Sequence, residues 1–176
     1  MAAGLTVAHT ADLDRGVLAA VRALLDAAFD GDFGDDDWEH CLGGLHAVVR
    51  DGGAVVAHGA VVQRRLQHGG RALRAGWVEG VAVDASARRR GHAGTVMTAL
   101  ERVVRGAYDL GALCATDLAV PVYEARGWVP WRGPTAALGP DGPVPTPGEL
   151  VHVLPGAAPL DLDGPLACDW RDGDLW

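Results

Sequence analysis

GVAVDASARRRGHAG, residues 80–94, governs the reading of the whole chain. Val81, Ala82 and Val83 close an apolar strand. A short polar turn follows, then Arg88-Arg89-Arg90-Gly91-His92-Ala93-Gly94, and a helical pattern opens behind it. Arginines and glycines at a helix start bring together backbone N–H groups, the positive end of the helix dipole and guanidinium charge. That combination suits a pyrophosphate. An arginine-rich turn is also what a solvated basic surface looks like. This chain, however, carries a net charge of −8, so a local cationic turn is less expected here.

Before this stretch, Leu5–Thr10 reads as a strand. A helix then starts at Asp12 or Asp14 as the cap, with Val17, Leu18, Val21, Leu24, Leu25 and Ala28 on one apolar face. A short helix is expected over Asp35–Leu42, its first turn rich in carboxylates. Leu45–Arg50 and Ala54–Leu66 form a hairpin about Asp51-Gly52-Gly53, and Ala72–Val83 is the next long strand. After the turn, the spacing predicts a helix over Gly91–Tyr108, a buried strand Leu110–Cys114, a helix Leu118–Arg126 and a strand Trp128–Trp131. Residues 132–148, rich in proline and glycine, read as loop. Leu150–Leu154 resumes a strand, and the segment from Pro155 reads as irregular. With no repeat and no linker, the expectation is a single domain over residues 1–176, of α/β (α+β) class, with a mixed central sheet flanked by helices.

The bulk properties narrow the class. The 176 residues, 49% of them apolar, can bury a real core. The acidic balance argues against nucleic acid and agrees with a cationic ligand. Three cysteines, Cys41, Cys114 and Cys168, with no C-x-x-C pair, give no disulfide framework or zinc site. No metal is expected: His40, His46 and His58 read as packed or exposed histidines. With neither a signal-peptide pattern nor an apolar run near the roughly 20 residues of a membrane span, the sequence reads as cytoplasmic, without membrane partners.

The spacing Arg88-x-x-Gly91-x-Ala93 behind an apolar strand points to a coenzyme A site. Together with the strand–turn–helix–strand–helix order and Tyr123 ahead of Arg126-Gly127-Trp128, it resembles the GNAT acetyltransferases. GDFGDDDWEH (31–40), WVEGVAV (77–83), RGAYDLGAL (105–113), YEARGWVPW (123–131) and CDWRDGDLW (168–176) are similar to the aminoglycoside 2′-N-acetyltransferases of mycobacteria and their relatives. The resemblance implies the GNAT acyl-CoA N-acyltransferase fold, transfer of acetyl from acetyl-CoA as co-substrate to the 2′-amine of aminoglycosides by direct attack, a role in antibiotic resistance, and a homodimer.

Acetyl transfer from a thioester to an amine needs a proton acceptor, oxyanion donors, a proton for the leaving thiolate, and two substrates held together. Glu79 is the candidate base, acting through an ordered water. Tyr123 is the candidate acid, its phenol protonated at neutral pH. Val81, Ala82 and Val83 offer backbone groups to the pantetheine arm, with the Val81 N–H as an oxyanion donor. Arg88, Arg89, Arg90, Gly91, His92 and Ala93 would wrap the pyrophosphate, although not all three arginines need touch it. For the polycationic acceptor the resemblance implies Asp32, Asp37, Glu79, Gly80, Cys114, Glu149, Asp174 and Trp176. Asp35 and Asp36 read instead as a solvated cap. Cys114 stands where the family has a serine, which weakens one hydrogen bond without removing the reaction. A nucleophilic role for it is disfavoured, since direct transfer needs no acyl-enzyme.

Two other readings fit the same residues. One keeps the chemistry and changes the acceptor to a polyamine, a cell-wall amino sugar or another small cationic amine. The other is a noncatalytic acyl-CoA-binding domain, against which the retained Glu79 and Tyr123 speak.

Overall fold

The computed structural model describes residues 3–176. Among the described residues there are ten strands: β1 (Gly4–His9), β2 (Leu45–Asp51), β3 (Ala54–His68), β4 (Arg71–Val83), β5 (Leu110–Cys114), β6 (Val129–Pro130), β7 (Thr135–Gly139), β8 (Gly142–Pro145), β9 (Val151–Leu154) and β10 (Leu166–Asp169). The α-helices are α1 (Arg15–Ala28), α2 (Asp35–His40), α3 (His92–Ala107) and α4 (Val120–Glu124). The chain divides into two compact units. One holds residues up to Val62 with Val78–Val103; the other holds Gln63–Trp77 with Val104–Trp176. Strands β3 and β4 run from one unit into the other.

In the first unit β1, β2 and the start of β3 are successive antiparallel strands. Helix α1 begins where Asp14 Oδ1 accepts from the Val17 N–H at 2.8 Å, which satisfies one of the donors a helix start leaves open. Its apolar face lands as the spacing predicts. Val17, Val21, Leu24 and Leu25 are buried against Phe33, Cys41, Val48, Ala60 and Ala82. Each such side chain contributes about 1.5–3 kcal/mol of burial. Leu13, Ala28, Trp38 and Val55 pack around this core.

The second unit has the strand order β6-β9-β5-β4-β3-β10-β7-β8. The parallel β4–β5 ladder covers Ala75↔Leu110, Gly76↔Gly111 and Trp77↔Ala112, so Glu79–Val83 follow the end of that ladder. Trp77, Trp128, Leu66, Leu73, Leu110, Leu113 and Leu166 are fully buried here.

The structure corrects three sequence expectations. The proline-rich stretch 132–148 is not all loop: Thr135–Gly139 and Gly142–Pro145 form an antiparallel hairpin. Pro143 and Pro145 are exposed on β8, the last strand in the order, where a missing N–H loses little. The segment after Pro155 is not irregular throughout. Leu166–Asp169 inserts between β3 (antiparallel) and β7 (parallel), with Leu166 and Cys168 inward. The helix expected over Leu118–Arg126 is confined to Val120–Glu124, with Pro121 in its first turn.

Candidate active site

In the first unit, Glu79 and Gly80 lie half-buried near the end of β4. Gly80 has φ +54°, and a Cβ there would stand 2.8 Å from the Cys41 sulfur, so only glycine fits both the conformation and the space. The Gly80 carbonyl accepts from His58 Nδ1 at 2.8 Å. Val81 and Val83 are half-buried and Ala82 is buried.

Val83 leads into the Asp84 turn, where Asp84 accepts from the Ser86 N–H and hydroxyl. Those hydrogen bonds hold its carboxyl below the usual carboxylate range. Arg88, Arg89, Arg90 and Gly91 are all exposed. Arg89 (φ +61°) and Gly91 (φ +83°) both lie in the left-handed region, which bends the chain sharply into α3. The first helical bond runs from the Thr95 N–H to the Gly91 carbonyl at 3.0 Å. The N–H groups of His92, Ala93 and Gly94 therefore precede any i→i−4 partner. His92 Nε2 is buried without a hydrogen-bond partner. Arg90 leans toward Asp51 at 3.7 Å, and Arg88 Nε lies 3.5 Å from the Val83 carbonyl. An open, glycine-containing helix start with cationic side chains fits a diphosphate.

The acidic segment is less uniform than its sequence. Asp35 pairs with Arg22 at 3.0 Å, in addition to the Arg22–Asp26 pair at 2.7 Å. Asp37 Oδ2 accepts from the Gly34 N–H at 2.7 Å, which closes the start of α2. Asp32 and Asp36 are exposed. Asp37 therefore has a structural task that the sequence reading did not assign.

In the second unit three of the expected acceptor residues come together. Cys114 Sγ donates to Glu149 Oε2 at 3.5 Å. Burial, then the Glu149 carboxylate, pushes the Cys114 thiol up to about 12, with Asp174 adding a smaller push the same way. A thiol held there is not a nucleophile at neutral pH. Tyr123 is half-buried, and its ring meets Trp128 edge-on at 6.1 Å. Burial pushes its phenol up to about 12, so it is protonated throughout the ordinary pH range.

The C-terminal segment is held in place. Arg64, 4% exposed, donates to Asp169 Oδ1 (2.7 Å), to the Asp169 carbonyl (2.9 Å) and to the Leu175 carbonyl (2.8 Å). Its guanidinium lies 4.8 Å from the Trp77 ring centre. Trp176 is buried, lies tilted against Trp77 with ring centres 5.8 Å apart and donates its indole N–H to Thr146 Oγ1 at 2.7 Å. The visible work of Trp176 is thus to anchor the segment that carries Asp174. Sequence reasoning missed Arg64, although the alternation Val62, Arg64, Leu66, His68 marks it as an inward position of β3. It also passed over the contact between His46 and His58. Among the described residues no three His, Cys, Asp or Glu side chains group as a metal site, and no helix is long and apolar enough to cross a membrane.

Residues 12–130 match the acetyltransferase (GNAT) domain. An aminoglycoside 2′-N-acetyltransferase of Mycolicibacterium fortuitum is 51% identical over 174 residues, covering 96% of this chain and 89% of that protein. Among solved structures, Escherichia coli ElaA superposes with a TM-score of 0.64 at 16% identity, over 87% of this chain and 99% of that one. An acyl-CoA N-acyltransferase from Pseudomonas aeruginosa gives 0.62 at 17%, over 87% and 99%. These structures share the fold. The sequence match is far closer, and the chain belongs to the aminoglycoside 2′-N-acetyltransferase family within the GNAT acetyltransferases.

Proposed function

We propose that this enzyme moves an acetyl group from acetyl-CoA directly onto the 2′-amine of an aminoglycoside, with Glu79 taking the amine proton through water and Tyr123 serving the leaving sulfur. The observation that carries the reading is the 51% identity, across nearly the whole chain, to a protein named for that reaction. The local geometry supports the division of labour. The open turn Arg88–Gly91 and the N–H groups of His92 and Ala93 would hold the diphosphate, and Val81 to Val83 would pair with the pantetheine arm. Acetyl-CoA supplies the activated acyl group; this chain's residues orient it and manage protons.

Tyr123 acts at the other end of the bond change. A phenol near 12 is a weaker acid than an ordinary thiol at about 8.5. Its contribution is therefore a hydrogen bond that strengthens as charge builds on sulfur, while the amine proton leaves through water to Glu79 and the departing thiolate takes its proton from solvent. The acceptor is a polycation. Asp32, Asp37, Glu79, Cys114, Glu149, Asp174 and the Trp176 segment supply polar groups for its ammonium ions and hydroxyls, and Gly80 lines the site beside Glu79. The reading further takes residues 1–176 as one GNAT domain of a cytoplasmic homodimer. Its support is the family resemblance and, for the compartment, a sequence of three cysteines with no C-x-x-C pair.

Incubation with acetyl-CoA and a kanamycin- or gentamicin-type drug bearing a 2′-amine, followed by mass spectrometry that locates the modified nitrogen, tests this. Acetylation at the 2′-nitrogen is expected. Acetylation only of polyamines or cell-wall amino sugars moves the enzyme to another acceptor, and coenzyme binding without turnover leaves a binding domain.

A further inference from the structure

The first unit contains a buried polar chain that acetyl transfer has not yet used. His46 and His58 are both 0% exposed. His58 Nδ1 lies 2.8 Å from the Gly80 carbonyl, His58 Nε2 lies 2.9 Å from His46 Nδ1, and His46 Nε2 lies 2.8 Å from Thr10 Oγ1. The Thr10 oxygen accepts from the Gly43 N–H at 2.9 Å. The network itself assigns the protons. A carbonyl only accepts, so His58 carries its proton on Nδ1. A neutral His58 then has a bare Nε2, which must accept from a proton on His46 Nδ1. The bare Nε2 of His46 in turn accepts from the Thr10 hydroxyl at 2.8 Å, the nearer of its two acceptors, the other being the Gly44 carbonyl at 3.3 Å. The order is Gly43 N–H, Thr10 O–H, His46, His58, Gly80 C=O, with each link pointing the same way.

Both histidines are neutral: burial, with a smaller contribution from His9, lowers His46 to about 4, and burial lowers His58 to about 3. A proton added to His58 would set donor against donor at the His46 contact. Two imidazoles in an apolar core are tolerated only when fully satisfied. What this chain satisfies is the carbonyl of a residue whose φ of +54° takes it out of the regular strand alternation.

We infer that His58, backed by His46 and Thr10, is a positioning residue for acetyl transfer: by holding the Gly80 carbonyl it fixes the peptide whose other face presents the Val81 N–H. The 80–81 peptide is trans, so the Val81 N–H points opposite to the Gly80 C=O, away from His58. A donor aimed at a developing oxyanion is effective only if it does not reorient during the reaction. The inference rests on the reading of Val81 as that donor.

Two measurements test it. In nitrogen-15 NMR of the unaltered protein at neutral pH, both histidines are expected as the Nδ1–H tautomer; an Nε2–H His58 overturns the assignment. In steady-state kinetics His58→Leu is expected to lower kcat by about 10-fold or more while acceptor KM stays within about twofold. His58→Asn, whose amide nitrogen takes the place of Nδ1, should recover most of that loss. Equal kcat in all three folded proteins, judged by circular dichroism and melting, refutes a positioning role. If His58→Leu does not fold, Thr10→Val carries the test: kcat should fall by at least about twofold at unchanged KM, and an unchanged kcat refutes the role. An unaltered protein that transfers no acetyl removes the proposed function instead, and the tautomer result is independent of that.

Discussion

Lowering the pH from 7 to 5 should remove about 4 kcal/mol of folding stability through His46 and His58 alone. Each has an ordinary value of 6.5 when unfolded, against about 4 and about 3 in the fold. Because the folded values are depressed, the stability they confer is present above 6.5 and is withdrawn as the pH falls toward 4 and then 3. At pH 5 the unfolded chain binds nearly one proton on each ring and the native protein almost none. Unfolding then takes up about two protons, a slope of about 3 kcal/mol per pH unit. Integrated from pH 7, where both rings are mostly neutral in either state, this gives about 4 kcal/mol, a large share of the 5–15 kcal/mol typical of a domain. Urea unfolding followed by fluorescence of the six tryptophans at pH 7, 6 and 5 measures it. The reference is the double variant His46→Gln/His58→Asn, which keeps the other histidines. The unaltered protein should lose about 4 kcal/mol more than the variant over this range. Parallel losses in the two proteins would show that these rings are not held neutral by burial, and the proton order assigned to the chain would fall with them.

Other outcomes follow from the same geometry. Tyr123→Phe should lower kcat by about 10²-fold or less, the scale of one hydrogen-bond donor to charge that develops in the transition state, and full activity in that variant removes Tyr123 from the reaction. Arg64→Met strips three hydrogen bonds from Asp169 and Leu175. It should cost about 2–3 kcal/mol in thermal or urea unfolding and open residues 170–176 to limited proteolysis; a protected segment would mean that Trp176 alone holds it. Asp37→Asn keeps a side-chain oxygen for the Gly34 N–H and removes the charge. Acceptor KM should rise, and rise more as ionic strength falls; a salt-independent KM counts against charge recognition at this position.

Much of the first unit was legible in the chain. The face Val17, Val21, Leu24, Leu25 and the Asp14 cap are local facts, set by the 3.6-residue period and one carboxylate, and they fold as read. The turn Arg88–Gly91 was equally legible, because a strand, a glycine and a helix start are neighbours in sequence. The strands Thr135–Gly139, Gly142–Pro145 and Leu166–Asp169 were not. Their proline content and short length argue for loop, and each becomes a strand only because a partner from elsewhere in the chain satisfies its backbone.

Within the candidate site the same division holds. The cationic turn, the acidic segment and the residue types suited to proton transfer can be read from the chain, since they depend on composition and short spacing, and the family can be read from the resemblance of five segments. The folded chain alone brings Cys114 to Glu149, lets Arg64 grip the segment before Trp176, and joins His46 and His58 in a hydrogen-bonded chain ending on the Gly80 carbonyl. Those contacts join residues 12 to 111 positions apart. No local periodicity encodes them; they form because folding brings distant polar groups together and a buried one must find its partner there.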